Sequence, residues 1–230
     1  MPLKRTYSTT TSIVPASMAK KKRTSPKRRK AILTVGQPRP FPTRMVATLR
    51  YCDTIALDSS LVSTLSKFMS CNSIYDPNRS DSGHQPYGHD TYATIYNQYT
   101  VVKSKCTFSF LQVQAVLAGF TWGGGISDDV STPLAYDTWA ERPTYKVRAM
   151  AQNAGPLATP LTLYWDRDKR FPSPDVAQSL SASFGSNPAE EEFFELVVQN
   201  AINGTLGKVY MFVQIEYTVE MYEPKDLGSS

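Results

Sequence analysis

The sequence is poor in the residues that carry most metal and nucleophilic chemistry. Histidine occurs only as His84 and His89, and cysteine only as Cys52, Cys71 and Cys106. Three cysteines spaced 19 and 35 residues apart match no zinc pattern and cannot form a closed disulfide set. They read as free thiols, buried as small apolar residues. No apolar run approaches the length of a membrane-spanning helix. The N-terminal charges have no apolar stretch behind them, unlike a secretory leader.

The most informative deficiency is local. Residues 1–44 contain no Asp or Glu but hold twelve Lys or Arg: Lys4, Arg5, Lys20, Lys21, Lys22, Arg23, Lys27, Arg28, Arg29, Lys30, Arg39 and Arg44. Residues 45–230 hold the other thirteen cations against all twenty acids, a net of −7, so the overall +5 belongs to the tail alone. A tail of this composition cannot bury a core and is expected to be disordered when free. Its charge seeks a polyanion. Pro38, Pro40 and Pro42 follow as an extended strut. The chain therefore divides into a basic arm and strut over 1–43 and a folded domain over 44–230.

The domain is patterned for strands. Met45, Ala47, Leu49, Tyr51, Ile55 and Leu57 alternate with polar residues, with Asp53 as the exception. Cys106, Phe108 and Phe110 form a second such face, on a strand expected to run to about Phe120. Val209, Met211, Val213, Ile215, Tyr217, Val219 and Met221 form a third. Shorter strands are expected near 66–75, 143–151, 160–165, 178–184 and 193–199. One helix is expected over 89–98, capped by Asp90. Gly123-Gly124-Gly125 opens what reads as a long polar loop to about residue 141. Glu190-Glu191-Glu192 reads as an exposed acidic turn, and 166–170 as a charged surface turn. Eight strands with turn clusters between them make an all-β, single eight-stranded jelly-roll sandwich the economical fold.

Residues 20–30 carry two clusters, Lys20–Arg23 and Lys27–Lys30, in which eight of eleven residues are basic. They suit sequence-blind phosphate binding by counterion release, and their spacing also suits a nuclear import signal. Arg44, Arg50, Lys103, Lys105, Lys146 and Arg148 fall on polar strand faces, where they would either add phosphate contacts or pair with neighbouring acids. His84 and His89, with Asp81 and Asp90 nearby, fit no zinc spacing. Asp128-Asp129 is too small a set for calcium. The glycine run lacks the Gly-Lys-Ser/Thr ending of a phosphate loop. No catalytic constellation, cofactor or metal is expected.

One stretch resembles a known family. Asn72-Ser73-Ile74-Tyr75-Asp76-Pro77-Asn78 is followed by Gly83-His84-Gln85-Pro86-Tyr87-Gly88-His89-Asp90. Tyr96-Asn97-Gln98-Tyr99-Thr100-Val101-Val102-Lys103-Ser104-Lys105 then follows. This series is similar to the capsid proteins of small circular Rep-encoding single-stranded DNA viruses, apart from His89, where that family often has an aromatic. It covers about a quarter of the chain, from Tyr51 to Phe110. The resemblance implies a jelly roll of two four-stranded sheets and an icosahedral shell of sixty copies. It also implies a packaged single-stranded DNA genome, nuclear import by host machinery, and location in the virion and the host nucleus during assembly. A host receptor, of unknown identity, would be a further partner; membrane insertion is not expected. Other readings are a satellite RNA virus coat, a non-capsid nucleic-acid-binding sandwich, a trimeric secreted ligand and a jelly-roll enzyme. A nucleic-acid-binding sandwich would put its cations on the domain, which here is acidic. The ligand would need a leader or anchor, and the enzyme a histidine-rich metal motif.

Overall fold

Alternation of apolar and polar residues puts one face of each long strand in the core, and the strands pair to complete their backbone hydrogen bonds. The computed structural model describes residues 40–59, 64–112, 119–131, 135–150, 159–173, 178–200 and 207–226. In chain order the elements are β1 (Arg44–Ser59), β2 (Thr64–Ser70), α1 (His89–Ile95), β3 (Tyr96–Gln112) and β4 (Phe120–Ser127). They continue as α2 (Tyr136–Ala140), β5 (Lys146–Met150), β6 (Leu161–Asp166), α3 (Arg167–Arg170), β7 (Ser181–Ser183), β8 (Phe193–Asn200) and β9 (Gly207–Pro224).

All pairings are antiparallel. One sheet has the order β1-β9-β3-β6, with β7 also on β3; the other has the order β2-β8-β4-β5. Eight strands in this order make the expected jelly roll. The ninth, β7, has three residues and continues the β6 edge by pairing with Gln98–Thr100.

The inner faces meet along a core that is aromatic at one end and hydroxyl-bridged at the other. Phe108, Phe110, Phe120 and Trp122 make edge-on ring contacts, the shortest having centroids 5.1 Å apart, between Phe110 and Trp122. Each such pair adds about 0.5–1.5 kcal/mol to the burial of its rings. At the far end Tyr217 Oη donates to the Ser70 carbonyl (2.8 Å) and Ser104 Oγ to the Cys71 carbonyl (2.7 Å). Tyr99 Oη donates to the Ser186 carbonyl (2.9 Å). These groups are buried, and each is satisfied by a partner on another element. Asp53, the exception on β1, accepts from Tyr51 Oη (2.8 Å) and Asn78 Nδ2 (3.0 Å).

Several expectations are corrected. The strand expected to run to about Phe120 is β3 as far as Gln112; 113–118 lie outside the described residues, and Phe120 begins β4 in the other sheet. β2 stops at Ser70. The helix is shorter than expected because Tyr96, fully buried, already begins β3; its cap is Gly88 and not Asp90, which lies in the first turn. The glycine run is not a loop but the middle of β4, and the region expected to be structureless contains α2. Cys71 and Cys106 are buried as expected, whereas Cys52 is exposed.

The glycines are required by what lies on β4. A Cβ on Gly125 would strike the body of the Tyr145 ring, and one on Gly123 the Lys146 carbonyl and Trp139. Trp139, from α2, is buried against the outer side of this sheet and donates from Nε1 to Gln199 Oε1 on β8 (3.0 Å). The segment from α2 to β5 is thus a flap lying flat on the glycine stretch of β4.

Candidate nucleic-acid interface

Lys4, Arg5, Lys20, Lys21, Lys22, Arg23, Lys27, Arg28, Arg29, Lys30 and Arg39 lie outside the described residues. The four remaining candidates come together on the outer face of the five-stranded sheet. Arg44 and Arg50 project from β1, and Lys103 and Lys105 from β3. Between them β9 presents Glu216 and Glu220 at the alternate positions that face solvent.

This register pairs the charges. Arg44 meets Glu220 at 2.9 Å, Arg50 meets Glu216 at 2.7 Å, Lys105 meets Glu216 at 3.5 Å, and Lys103 meets Asp166 of β6 at 3.1 Å. The hydrogen bond from Arg50, followed by the charge of Lys105, holds the Glu216 carboxyl below its ordinary range. For Asp166 the cost of partial burial is outweighed by the hydrogen bond and charge of Lys103, and its pKa also falls. Exposed pairs of this kind contribute about 0–1 kcal/mol each. They leave little unbalanced positive charge on this face, and a phosphate must displace a carboxylate to bind there.

Lys146 and Arg148 do not share that face. β5 is the edge of the other sheet, and Arg148 lies opposite Trp122 with its side chain on the core side of the strand. Lys146 Nζ crosses to the Thr162 carbonyl of β6 (2.6 Å) and sits 5.7 Å from the Tyr164 ring centre. Charged residues turned inward on an edge strand block pairing with a foreign strand.

Two buried carboxylates escaped the sequence reading. Glu192, expected in an exposed turn, is 2% exposed; it accepts from Trp165 Nε1 and Arg170 Nε, and its own N–H donates to Asn72 Oδ1. Glu195, on β8 beneath the flap, is fully buried and accepts from Tyr145 Oη and from Arg142 (3.2 Å). Burial raises its pKa, against the opposing pull of Tyr145 and Arg142. Burial likewise raises the Tyr145 phenol, with Glu195 adding to the shift. For Glu195 the advance signal was a lone acid inside the apolar run of β8; Glu192, at the end of a run of three acids, gave none.

His84 stacks on Tyr51 with ring centres 4.7 Å apart. His89 is buried against Phe184, with Nδ1 3.0 Å from Asp90. Among the described residues no group of three or more His, Cys, Asp or Glu could hold a metal ion.

No protein-family model matches the chain, and no curated protein matches it in sequence. Among solved structures, the chain is similar to the 60-mer BFDV capsid protein at TM-score 0.45 and 8% identity, covering 83% of this chain and 100% of that one. It is also similar to the capsid in a semi-empty virus-like particle of the giant freshwater prawn Macrobrachium rosenbergii nodavirus, at TM-score 0.46 and 10% identity, covering 83% and 100%. The empty head of turnip yellow mosaic virus gives TM-score 0.42 and 13% identity, covering 88% and 94%.

Proposed function

We propose that the chain is a structural coat protein of a small circular Rep-encoding single-stranded DNA virus. It self-assembles into an icosahedral shell of sixty copies and packages the genome through its basic arm. The observation that carries the reading is the separation of charge. Eleven unopposed cations precede residue 44, whereas the domain is net acidic and its outer-face cations are already paired. A closed shell of jelly rolls with acidic bodies needs such arms to hold a polyanion.

The interface is assigned to Lys4, Arg5, Lys20–Arg23, Lys27–Lys30 and Arg39. Arg44, Arg50, Lys103 and Lys105 add to it only where phosphate displaces Glu216, Glu220 or Asp166. Sixty arms would bring on the order of 700 positive charges into the lumen, enough to neutralise a substantial part of a genome of a few thousand nucleotides. Binding of this kind is independent of sequence and falls steeply with salt. The clusters Lys20–Arg23 and Lys27–Lys30 serve a second role, recognition by the nuclear import machinery of the host.

The test is negative-stain microscopy of the purified chain with its absorbance ratio at 260 and 280 nm. Uniform round particles roughly 15–25 nm across with nucleic-acid absorbance are expected. Digestion by DNase but not RNase is expected for the cargo; the reverse would make the chain the coat of an RNA virus. Monomers or dimers across salt and pH, with or without added DNA, would refute the coat reading.

A further inference from the structure

A shell needs contacts that propagate, and the sheet carries two complementary patches on opposite edges. The first is at β1. Pro86-Tyr87-Gly88-His89 forms a tight turn closed by the His89 N–H to the Pro86 carbonyl (3.0 Å). Gly88 adopts φ 91°, ψ −8°, the geometry that a type II turn requires at its third position. The Tyr87 N–H is tied to the Arg50 carbonyl of β1 (3.3 Å). Tyr87 therefore stands at the apex of a locked turn, and it is 93% exposed, the most exposed large apolar residue described. An aromatic carried on a backbone fixed in this way has little main-chain entropy left to lose on being covered, a property of an interface anchor.

Beside it, the Asp90 side chain is 91% exposed and bonded only to the His89 imidazole. The other acids of this loop region are already opposed, Asp81 by Lys67 and Asp76 by Arg79. Among the described residues Asp90 thus has no Lys or Arg partner, and it stands next to the aromatic knob.

The second patch is at β6, the other end of the order β1-β9-β3-β6. Tyr164 is 64% exposed there, and Lys146 lies over its ring from β5. Arg148, two residues along β5, is exposed. Among the described residues neither cation has a carboxylate within ion-pair distance, unlike the four cations on the outer sheet face.

We propose that Tyr87 and Asp90 of one copy dock on Tyr164, Lys146 and Arg148 of a second copy. The match is twofold, aromatic against aromatic and lone carboxylate against lone cations. The two patches are separated by two intervening strands, about 14 Å of sheet. They cannot satisfy one another within a chain, and they make a head-to-tail contact. Such a contact does not stop at a dimer; it continues until a ring or shell closes. The inference rests on the coat-protein reading and names the surface by which the copies meet.

The experiment measures the assembled fraction by sedimentation velocity, using the full chain at a concentration where the wild type is half assembled. Tyr87→Ala, Asp90→Lys and Arg148→Asp are each expected to lower it about tenfold, without moving the thermal melt of the separated subunit. The double variant Asp90→Lys/Arg148→Asp restores opposite charges and is expected to return to within about threefold of wild type. Tyr87→Ala and Arg148→Asp lie outside α1 and keep the test intact should Asp90→Lys disturb that helix. Wild-type assembly by Tyr87→Ala, or a double variant no better than the singles, overturns the contact while leaving the coat reading standing. A wild-type chain that never assembles overturns both.

Discussion

Replacing Gly125 by Ala tests how the flap is held. The new methyl group would sit inside the Tyr145 ring, against Cδ2, Cε2 and Cγ. These atoms are the body of a ring and not the free end of a flexible chain, so the whole side chain must swing away. Tyr145 then gives up its hydrogen bond to Glu195, and Arg142, bonded to the Tyr145 hydroxyl at 2.9 Å, loses its guide to the same carboxylate. Glu195 is fully buried, and its Oε1 already has no partner among the described residues. Leaving a buried charged acceptor short of one partner costs about 1.5–3 kcal/mol, and of both about 3–5 kcal/mol. We expect a loss of about 3 kcal/mol, or about 6–12 °C in Tm for a domain of this size. Urea unfolding followed by tryptophan fluorescence reads it well, because Trp122, Trp139 and Trp165 are all buried. Adding Glu195→Gln to Gly125→Ala removes the stranded charge and should recover part of the loss. A Gly125→Ala variant within about 0.5 kcal/mol of wild type would show that Tyr145 does not lie on this strand.

Four further outcomes are expected. The folded pKa of Glu195 is raised, so the folded state binds its proton at higher pH than the unfolded state does. Stability from this site is full below the unfolded value of about 4.3 and is lost as pH rises through the folded value. Glu195→Gln should therefore flatten the rise in stability as pH falls towards the unfolded value. Asp166 and Glu216, whose pKa values are lowered, act oppositely: their contribution is full above the unfolded values and is lost as pH falls through the folded ones. Asp166→Asn and Glu216→Gln should therefore lessen the loss of stability at acid pH. A thiol reagent should modify Cys52 alone in the native chain, and Cys71 and Cys106 only after unfolding, since both are buried and burial raises their thiol pKa values; three thiols reacting at one rate would contradict the core. Changing Lys27, Arg28, Arg29 and Lys30 together to Ala should leave the Tm within about 1 °C while lowering the nucleic-acid absorbance of particles; a lost melting transition would show that the arm and the domain are not separate.

The long strands were legible because apolar residues recur at alternate positions along most of their inner faces. β9 places seven apolar residues at every second position from Val209 to Met221, and all seven are buried. β1 follows the same rule apart from Asp53, and β3 apart from its irregularity between Val101 and Lys103, and three such strands suffice to suggest the sandwich. What could not be read depended on partners distant in sequence. A glycine triplet signals a loop unless one knows that Trp139 and Tyr145 return to cover it. Glu192 reads as solvated unless Trp165 and Arg170 are known to converge on it from β6 and α3. The cations of β1 and β3 looked available for phosphate because their partners are distant in sequence: Glu216 and Glu220 on β9 for Arg44, Arg50 and Lys105, and Asp166 on β6 for Lys103. Lys146 and Arg148 were assigned the wrong face because β5 is an edge strand, where the rule that polar residues point outward is relaxed.

The two ends of the core are joined by different forces, and that difference has a mechanical meaning. Tyr217 to Ser70 and Ser104 to Cys71 are directional bonds that tolerate only a few tenths of an ångström before they weaken. The ring contacts among Phe108, Phe110, Phe120 and Trp122 are dispersive and change slowly with small sliding. A force that alters the angle between the sheets will therefore find the hydroxyl-bridged end fixed and the aromatic end compliant. The sandwich should flex as a book does, with its spine along Tyr217 and Ser104 and its open edge at the rings. A sandwich built in this way can change the angle between its sheets while the bonds at its spine hold.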